Sequence, residues 1–153
     1  MREVSCTVAV AAPPRAVYEA AKDVEGLAEF IEAIESITVR ERREQPAGPE
    51  TVTAWVGLLP EFGRKLKWTE RDRWDDTALR CDFTLVEGDL DEYEGEWTFV
   101  PDGADDRTTT TLVVRYTYDV PLIGALIKGL VHKKMQQSVD AIQAGLARRV
   151  AAQ

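Results

Sequence analysis

The fold is decided by one stretch of alternating residues, Tyr93-Glu94-Gly95-Glu96-Trp97-Thr98-Phe99. Every second residue is aromatic or glycine, which is typical of a β-strand with one buried face. A second alternating run follows at Val114-Arg115-Tyr116-Thr117-Tyr118. A long helix with an apolar stripe is then predicted to begin at about Leu122. The order predicts a sheet whose inner face is covered by a C-terminal helix.

Outward from this stretch, the same alternation predicts a series of strands with short turns between them. They cover residues 4–10, a segment through Ile37 and Val39, and residues 51–58, 65–74, 79–86, 90–100 and 108–120. Two short helices, one after Ala12-Pro13-Pro14 and one around Leu27, Phe30 and Ile31, separate the first two strands. A turn is predicted at residues 45–49. Such spacing indicates antiparallel hairpins rather than parallel βαβ units.

Composition limits the function. The 153 residues predict one domain, 1–153, and the formal net charge of −8 argues against binding to nucleic acid or an anionic membrane surface. Uncharged apolar runs are far shorter than the roughly 18 residues of a membrane span, and we expect no signal peptide. Cys6 and Cys81 are expected to be buried free thiols in a cytoplasmic protein. With His132 as the only histidine, no metal site is expected.

Several motifs together carry a resemblance to a known family. They are Val10–Tyr18, a strand followed by a proline-initiated helix, then Asp23–Leu27, then Val86–Asp89 with Gly95–Phe99, and Arg107–Val114. With them, nearly the whole chain resembles the START-like (SRPBCC) helix-grip superfamily, and in particular its polyketide cyclase/dehydrase and coenzyme Q-binding branches.

The resemblance implies an α+β helix-grip fold. In this fold a curved antiparallel sheet of about seven strands wraps around a long C-terminal helix, with two short helices between strands 1 and 2. It also implies an apolar cavity between sheet and helix, a hydrophobic small-molecule ligand and no cofactor. It does not fix the function, because this fold hosts carriers, cyclases, hydroxylase domains and hormone receptors.

Strand and helix periodicity place a set of mostly aromatic side chains on the inner faces. We expect the ligand-binding residues to be Trp55, Trp68, Glu70, Phe83, Tyr93, Trp97, Val114, Tyr116, Tyr118, Val131 and Met135. The alternative is that these side chains pack against the helix as a solid core. The residues by themselves favour a core, whereas the resemblance favours a cavity.

One strand places two acids on an otherwise apolar face. Glu70 and Asp72 share the parity of Leu66, Trp68 and Trp74, and two inward carboxyls would suit proton transfer or a polar ligand group. Bulged strands and ion pairs are more common. The sequence alone therefore favours exposure of both acids or pairing with Arg71, Arg73 or Arg80.

The acid pair also bears on enzymatic activity. Bacterial aromatase/cyclases of the superfamily typically present an arginine from this strand, a few residues after its tryptophan. In register with Trp68, the inward positions hold Glu70 and Asp72, while Arg71 falls on the other face. Tyr116 stands where some cyclases have a histidine. The cyclase interpretation is weakened, although a bulge would restore Arg71.

Apolar residues in a predicted loop mark an expected cavity mouth. Leu59 and Phe62 lie between two strands. They would gate the cavity, or they would contact a membrane or protein transiently together with the apolar start of the C-terminal helix. A loop that folds back on the helices is the alternative. His132 has no acid or nucleophile near it in sequence, so no catalytic role is assigned to it.

These observations lead to one main hypothesis and two alternatives. The main hypothesis is binding or transport of a lipid, isoprenoid quinone or polyketide-like compound. The first alternative is a cyclase or dehydratase that uses Glu70, Asp72 or Tyr116 as acid–base groups. The second is a protein-interaction module that uses Leu59 and Phe62.

Overall fold

The computed structural model describes residues 1–59, 63–119 and 124–153. The strands are β1 (Arg2–Val10), β2 (Ile34–Gln45), β3 (Gly48–Leu59), β4 (Arg64–Asp75), β5 (Arg80–Gly88), β6 (Glu92–Asp102) and β7 (Ala104–Thr117). The helices are α1 (Pro14–Lys22), α2 (Val24–Leu27), a single 3-10 turn (Ala28–Phe30) and α3 (Ala125–Ala151).

The strands form one antiparallel seven-stranded sheet in the order β1-β7-β6-β5-β4-β3-β2. Consecutive strands from β2 to β7 are joined as neighbours, while β1 pairs with β7 at the far edge. The chain therefore crosses from one edge of the sheet to the other between β1 and β2, and α1, α2 and the 3-10 turn lie in that crossing. The predicted order of elements and the predicted α+β architecture are confirmed.

Three predicted boundaries differ from the structure. The turn predicted at residues 45–49 contains only Pro46 and Ala47, because Gln45 pairs directly with Gly48 and β3 begins there. Strand β7 begins at Ala104 instead of residue 108, since Gly103 adopts a φ of 74° and closes a tight hairpin. The strand also ends at Thr117, before the predicted end at residue 120.

The long helix begins later than predicted. Its first residue is Ala125, because Gly124 has an extended backbone that a helix cannot continue through. The predicted start at Leu122 lies outside the described residues.

Helix α3 is attached to the sheet through its C-terminal half. The Gln143 side chain is fully buried there. Its Oε1 accepts from Trp97 Nε1 at 3.1 Å, and its Nε2 donates to the carbonyls of Cys6 and Thr110, both at 3.0 Å. One amide therefore joins the helix to β1, β6 and β7. By contrast, most residues between Ala125 and Lys134 are exposed, and this segment meets the sheet through Arg2 of β1 and Tyr116 of β7.

The aromatic side chains of the inner face divide into two groups. Tyr18, Trp74, Trp97 and Phe99 pack in edge and tilted contacts with ring centroids 5.5–6.4 Å apart, beneath α1 and the attached half of α3. Trp55, Trp68, Tyr93 and Phe83 form a second chain of contacts at 5.5–5.6 Å. Trp74 and Trp97 of the first group also border a small void, while Trp68 and Tyr93 of the second group line the main cavity.

We predict opposite effects for two glycine-to-alanine substitutions in α3. A Cβ at Gly145 would lie 2.8 Å from both Ile31 Cγ1 and Phe30 O, so Gly145→Ala should destabilise the protein by about 1–3 kcal/mol. The control is Gly129→Ala, where a Cβ meets open space. It should stabilise by about 0.5–1 kcal/mol through helix propensity. Urea denaturation measures both, and equal effects would show that α3 does not approach the 3-10 turn closely.

Candidate functional site

A cavity of about 250 Å³ lies between the sheet and the middle of α3, from Val131 to Ile142. Strands β3, β4, β6 and β7 form its floor, the end of the crossing segment forms one side, and α3 forms its roof. It is lined by Glu32, Ala33, Gly57, Leu58, Leu59, Leu66, Trp68, Leu90, Tyr93, Val114, Tyr118, Val131, Lys134, Met135, Gln137, Ser138, Val139 and Ile142. Its wall is mostly apolar, as in sites that bury an apolar ligand.

The structure brings together about half of the ligand-binding residues that the sequence predicts. Those in the cavity wall are Trp68, Tyr93, Val114, Tyr118, Val131 and Met135. Leu59, predicted at the mouth, also lines the wall and is half-buried. Phe62 lies outside the described residues. Polar groups at Glu32, Lys134 and Gln137 are gathered on the side where α3 faces the crossing segment, and they form a hydrophilic rim.

The remaining predicted residues lie elsewhere. Trp55, Phe83, Trp97 and Glu70 surround a separate void of about 20 Å³, together with Asp72. Tyr93 and Ile142 line both this void and the main cavity, so the two spaces share walls. Tyr116 faces neither space. It lines a groove of about 290 Å³ beside β1, next to Arg2 and Lys128.

Glu70 and Asp72 are both buried on the inner face of β4, at 4 % and 3 % exposure. The alternation of β4 is unbroken, and the bulge at this point belongs to β5, where the register shifts opposite Thr69 and Glu70. The arginines are occupied on the outer face: Arg71 binds Glu50 and Arg80 binds Asp82. Exposure or arginine pairing, the alternatives that the sequence alone favours, are therefore wrong for the described residues.

Polar neighbours satisfy the two acids instead. Trp68 Nε1 donates to Glu70 Oε1 at 2.8 Å, and Thr51 Oγ1 donates to Asp72 Oδ2 at 3.4 Å. Burial raises the pKa of Glu70 well above its usual range, and the neighbouring Asp72 charge raises it further. Burial also raises the pKa of Asp72, while the hydrogen bond from Glu70 opposes that rise. The raised pKa of Glu70 favours its protonated form beside Asp72.

Tyr116 forms a second polar pair with a residue that the sequence analysis set aside. Its hydroxyl lies 2.9 Å from His132 Nδ1, and the two rings stack. Partial burial lowers the pKa of His132, and the nearby Arg2 charge lowers it further. Burial raises the pKa of the Tyr116 hydroxyl. A neutral imidazole that accepts from a neutral phenol satisfies both shifts.

A sequence signal for His132 existed. It stands three residues before Met135 and seven before Val139, on the helix face that also carries Ile142 and Leu146. The polar patch of Lys128, Lys133 and Lys134 around it concealed this spacing, because basic runs usually mark a solvated helix face.

Within residues 1–59, 63–119 and 124–153, no group of three or more His, Cys, Asp or Glu side chains is placed to hold a metal ion. None of the helices that the structure describes is both long and apolar enough to cross a membrane.

Comparison with known families decides the relationship of the chain. The model of the family described as polyketide cyclase/dehydrase and lipid transport matches residues 10–143. The chain belongs to this family. A search of curated proteins finds no significant match.

Solved structures of this family and its superfamily have the same fold. The protein TTHA0849 from Thermus thermophilus is 39 % identical, with a TM-score of 0.89 over 99 % of this chain and 98 % of that chain. The ZhuI aromatase/cyclase from Streptomyces sp. R1128 is 22 % identical, with a TM-score of 0.75 over 97 % and 95 %. A START superfamily protein from Mycobacterium smegmatis is 18 % identical, with a TM-score of 0.74 over 98 % and 97 %. The START-like assignment and the helix-grip fold are confirmed, and this fold binds hydrophobic ligands.

The buried acid pair predicts an unusual pH dependence of stability. Because the folded pKa of Glu70 is raised, folding takes up a proton above the unfolded glutamate pKa of about 4.3, and stability falls as pH rises. Glu70→Gln keeps the shape and the bond from Trp68 but removes this uptake. Its stability relative to the wild type should rise from pH 5 to pH 8, by up to about 1.4 kcal/mol per pH unit.

Urea denaturation at several pH values measures this difference. Glu87→Gln, at an exposed position of β5, is the matched control and should follow the wild type throughout. Parallel curves for Glu70→Gln and the wild type would mean that Glu70 is ionised in the folded protein.

Proposed function

We propose that this protein, acting as a single START-like domain over residues 1–153, binds and transports a hydrophobic small molecule in the main cavity. A lipid, an isoprenoid quinone or a polyketide-like compound would suit it. The observation that carries the proposal is the apolar cavity of about 250 Å³ between the sheet and residues 131–142 of α3. Apolar cavities of about 150 Å³ already bind benzene. We place the protein in the cytoplasm, where Cys6 and Cys81, free in this structure, would stay reduced.

The wall composition favours a carrier. Burial of apolar ligand surface contributes about 2.5 kcal/mol per 100 Å², and the aromatic rings of Trp68 and Tyr93 offer flat contact area for it. The polar rim at Glu32 and Gln137 stands at the outer side of the cavity. A ligand would therefore enter with its apolar body inward.

Native mass spectrometry of freshly purified protein, followed by solvent extraction, tests the proposal directly. We expect a bound apolar compound in stoichiometric amount. Protein that arrives empty and also fails to bind naphthalene or other apolar probes would contradict it, and would favour the interaction module.

A cavity-filling substitution should abolish binding without disturbing the fold. Val131 is half-buried and lines the cavity, so Val131→Trp should weaken naphthalene binding by about tenfold or more, because the indole would occupy the ligand space. The control is Leu130→Trp, one residue along α3, where the side chain is 41 % exposed and lies outside the cavity wall. Fluorescence titration measures both, and equal losses would place the binding site elsewhere.

A second candidate function is catalysis of the cyclase or dehydratase type. The observation that favours it is the Tyr116–His132 pair, a phenol and an imidazole 2.9 Å apart, because Tyr116 lines a groove of its own beside β1. Such a pair would move a proton to or from a bound substrate.

Tyr116→Phe separates the carrier from the enzyme. A carrier should keep its ligand affinity within a few-fold, because only one hydroxyl is lost. An enzyme should lose about 100-fold or more in turnover. Incubation of the extracted ligand with each protein, followed by mass spectrometry, detects any loss of water or cyclised product. Conversion by the wild type that Tyr116→Phe abolishes would replace the carrier proposal with the enzyme.

Transient contact with a membrane or protein is also part of the proposal, through Leu59, Phe62 and the start of α3. Leu126 is 78 % exposed there and Leu130 lies one turn further along α3. Apolar side chains beside a cavity would assist ligand pick-up from an apolar donor.

A further inference from the structure

The small void behind the main cavity has the size of one oxygen atom with its hydrogens. It measures about 20 Å³, and roughly 10–15 Å³ is enough to hold a water molecule. Tyr93 and Ile142 belong to its wall and to that of the main cavity. It therefore adjoins the main cavity at these two side chains.

One residue that lines this void carries a buried donor without a partner among the described residues. Trp55 is 6 % exposed and lines the void, and its Nε1–H makes no hydrogen bond within the part of the chain that the structure describes. Burying an N–H without an acceptor is costly, and such groups are rare in folded proteins. Since an indole N–H only donates, the group that fits this place has a lone pair.

The opposite wall accepts hydrogen bonds. Glu70 and Asp72 both line the void, and carboxyl oxygens accept hydrogen bonds. Glu70 Oε1 already accepts from Trp68 at 2.8 Å, and Asp72 lies beside it on the same face of β4. Among the described residues that line the void there is no lysine, arginine or histidine. An anionic ligand group would therefore be repelled by Asp72, and an ammonium group would offer nothing to the Trp55 N–H.

A hydroxyl group satisfies both walls, since it accepts one hydrogen bond and donates another. We propose that the void is a hydroxyl-binding subsite, in which a hydroxyl at the inner end of the apolar ligand accepts from Trp55 Nε1 and donates to the Glu70–Asp72 pair. This inference rests on the proposed ligand-binding function. It narrows the ligand class to apolar alcohols and phenols, including hydroxylated aromatic compounds.

Three probes of similar shape test the subsite: naphthalene, 2-naphthol and 2-naphthoate. We expect the wild type at pH 7 to bind 2-naphthol more tightly than naphthalene, and 2-naphthoate more weakly than either. Trp55→Phe should reduce the preference for 2-naphthol over naphthalene by about 2- to 12-fold, the range that one net hydrogen bond spans. Asp72→Asn, which changes charge more than shape, should weaken the exclusion of 2-naphthoate.

Phe83→Leu is the matched control, because Phe83 lines the same void without a polar atom. It should change the affinity for naphthalene and 2-naphthol by the same factor. A crystal structure of the 2-naphthol complex should place the phenol oxygen within hydrogen-bond distance of Trp55 Nε1.

The outcomes distinguish the two proposals. If naphthalene and 2-naphthol bind equally, and Trp55→Phe leaves that ratio unchanged, the void holds only a water molecule and the subsite is overturned while ligand binding stands. Tightest binding of 2-naphthoate would also overturn the subsite. If no probe binds the wild type, the cavity is not a ligand site and both proposals fail.

Discussion

The buried amide of Gln143 is the contact on which the architecture of the site depends. It binds β1, β6 and β7 at once, through Trp97 and two backbone carbonyls. Toward the C-terminus, Arg149 reinforces the attachment by donating to the Ala20 carbonyl at 3.1 Å and the Asp23 carbonyl at 2.6 Å. Nearer its N-terminus, α3 also binds the sheet, because Gln136 donates to the Ser5 carbonyl at 2.7 Å and His132 lies 2.9 Å from the Tyr116 hydroxyl. The helix is thus held to β1, β6 and β7, and the cavity extends beyond them to β3 and β4.

The position of the helix explains why one sheet face forms both a packed core and a cavity. Close to Gln143, the aromatic rings of Trp97 and Phe99 pack together. Toward β3 and β4, Trp68 and Tyr93 line the cavity. Dense packing at one end stabilises the fold, so the cavity at the other end costs less than the total stability.

The sequence was sufficient to predict the architecture. It was insufficient to predict which residues of the inner sheet face line the cavity and which pack in the core. Alternation with a period of two identified the strands, and the stripe of α3 identified the helix, because both depend on residue spacing alone. Whether Trp68 lines a cavity and Trp97 packs in a core depends on where α3 lies over the sheet. Gln143 fixes that position through its hydrogen bonds. The spacing of apolar residues does not show that this polar side chain is buried.

The environment of Glu70 and Asp72 could not be predicted from the sequence either. Their inward parity was visible, but the cost of burying two carboxyls made exposure or arginine pairing the better expectation. The raised pKa of Glu70 favours its neutral form, which lowers that cost, and the hydrogen bond from Trp68 lowers it further. An apolar pair of the same volume would pack here without any such requirement. The two acids and Trp55 line the same void. Several polar groups that are buried at an energetic cost around one space are characteristic of a functional site. The structural cost at this place therefore argues for a bound polar group, since that group would satisfy both walls together.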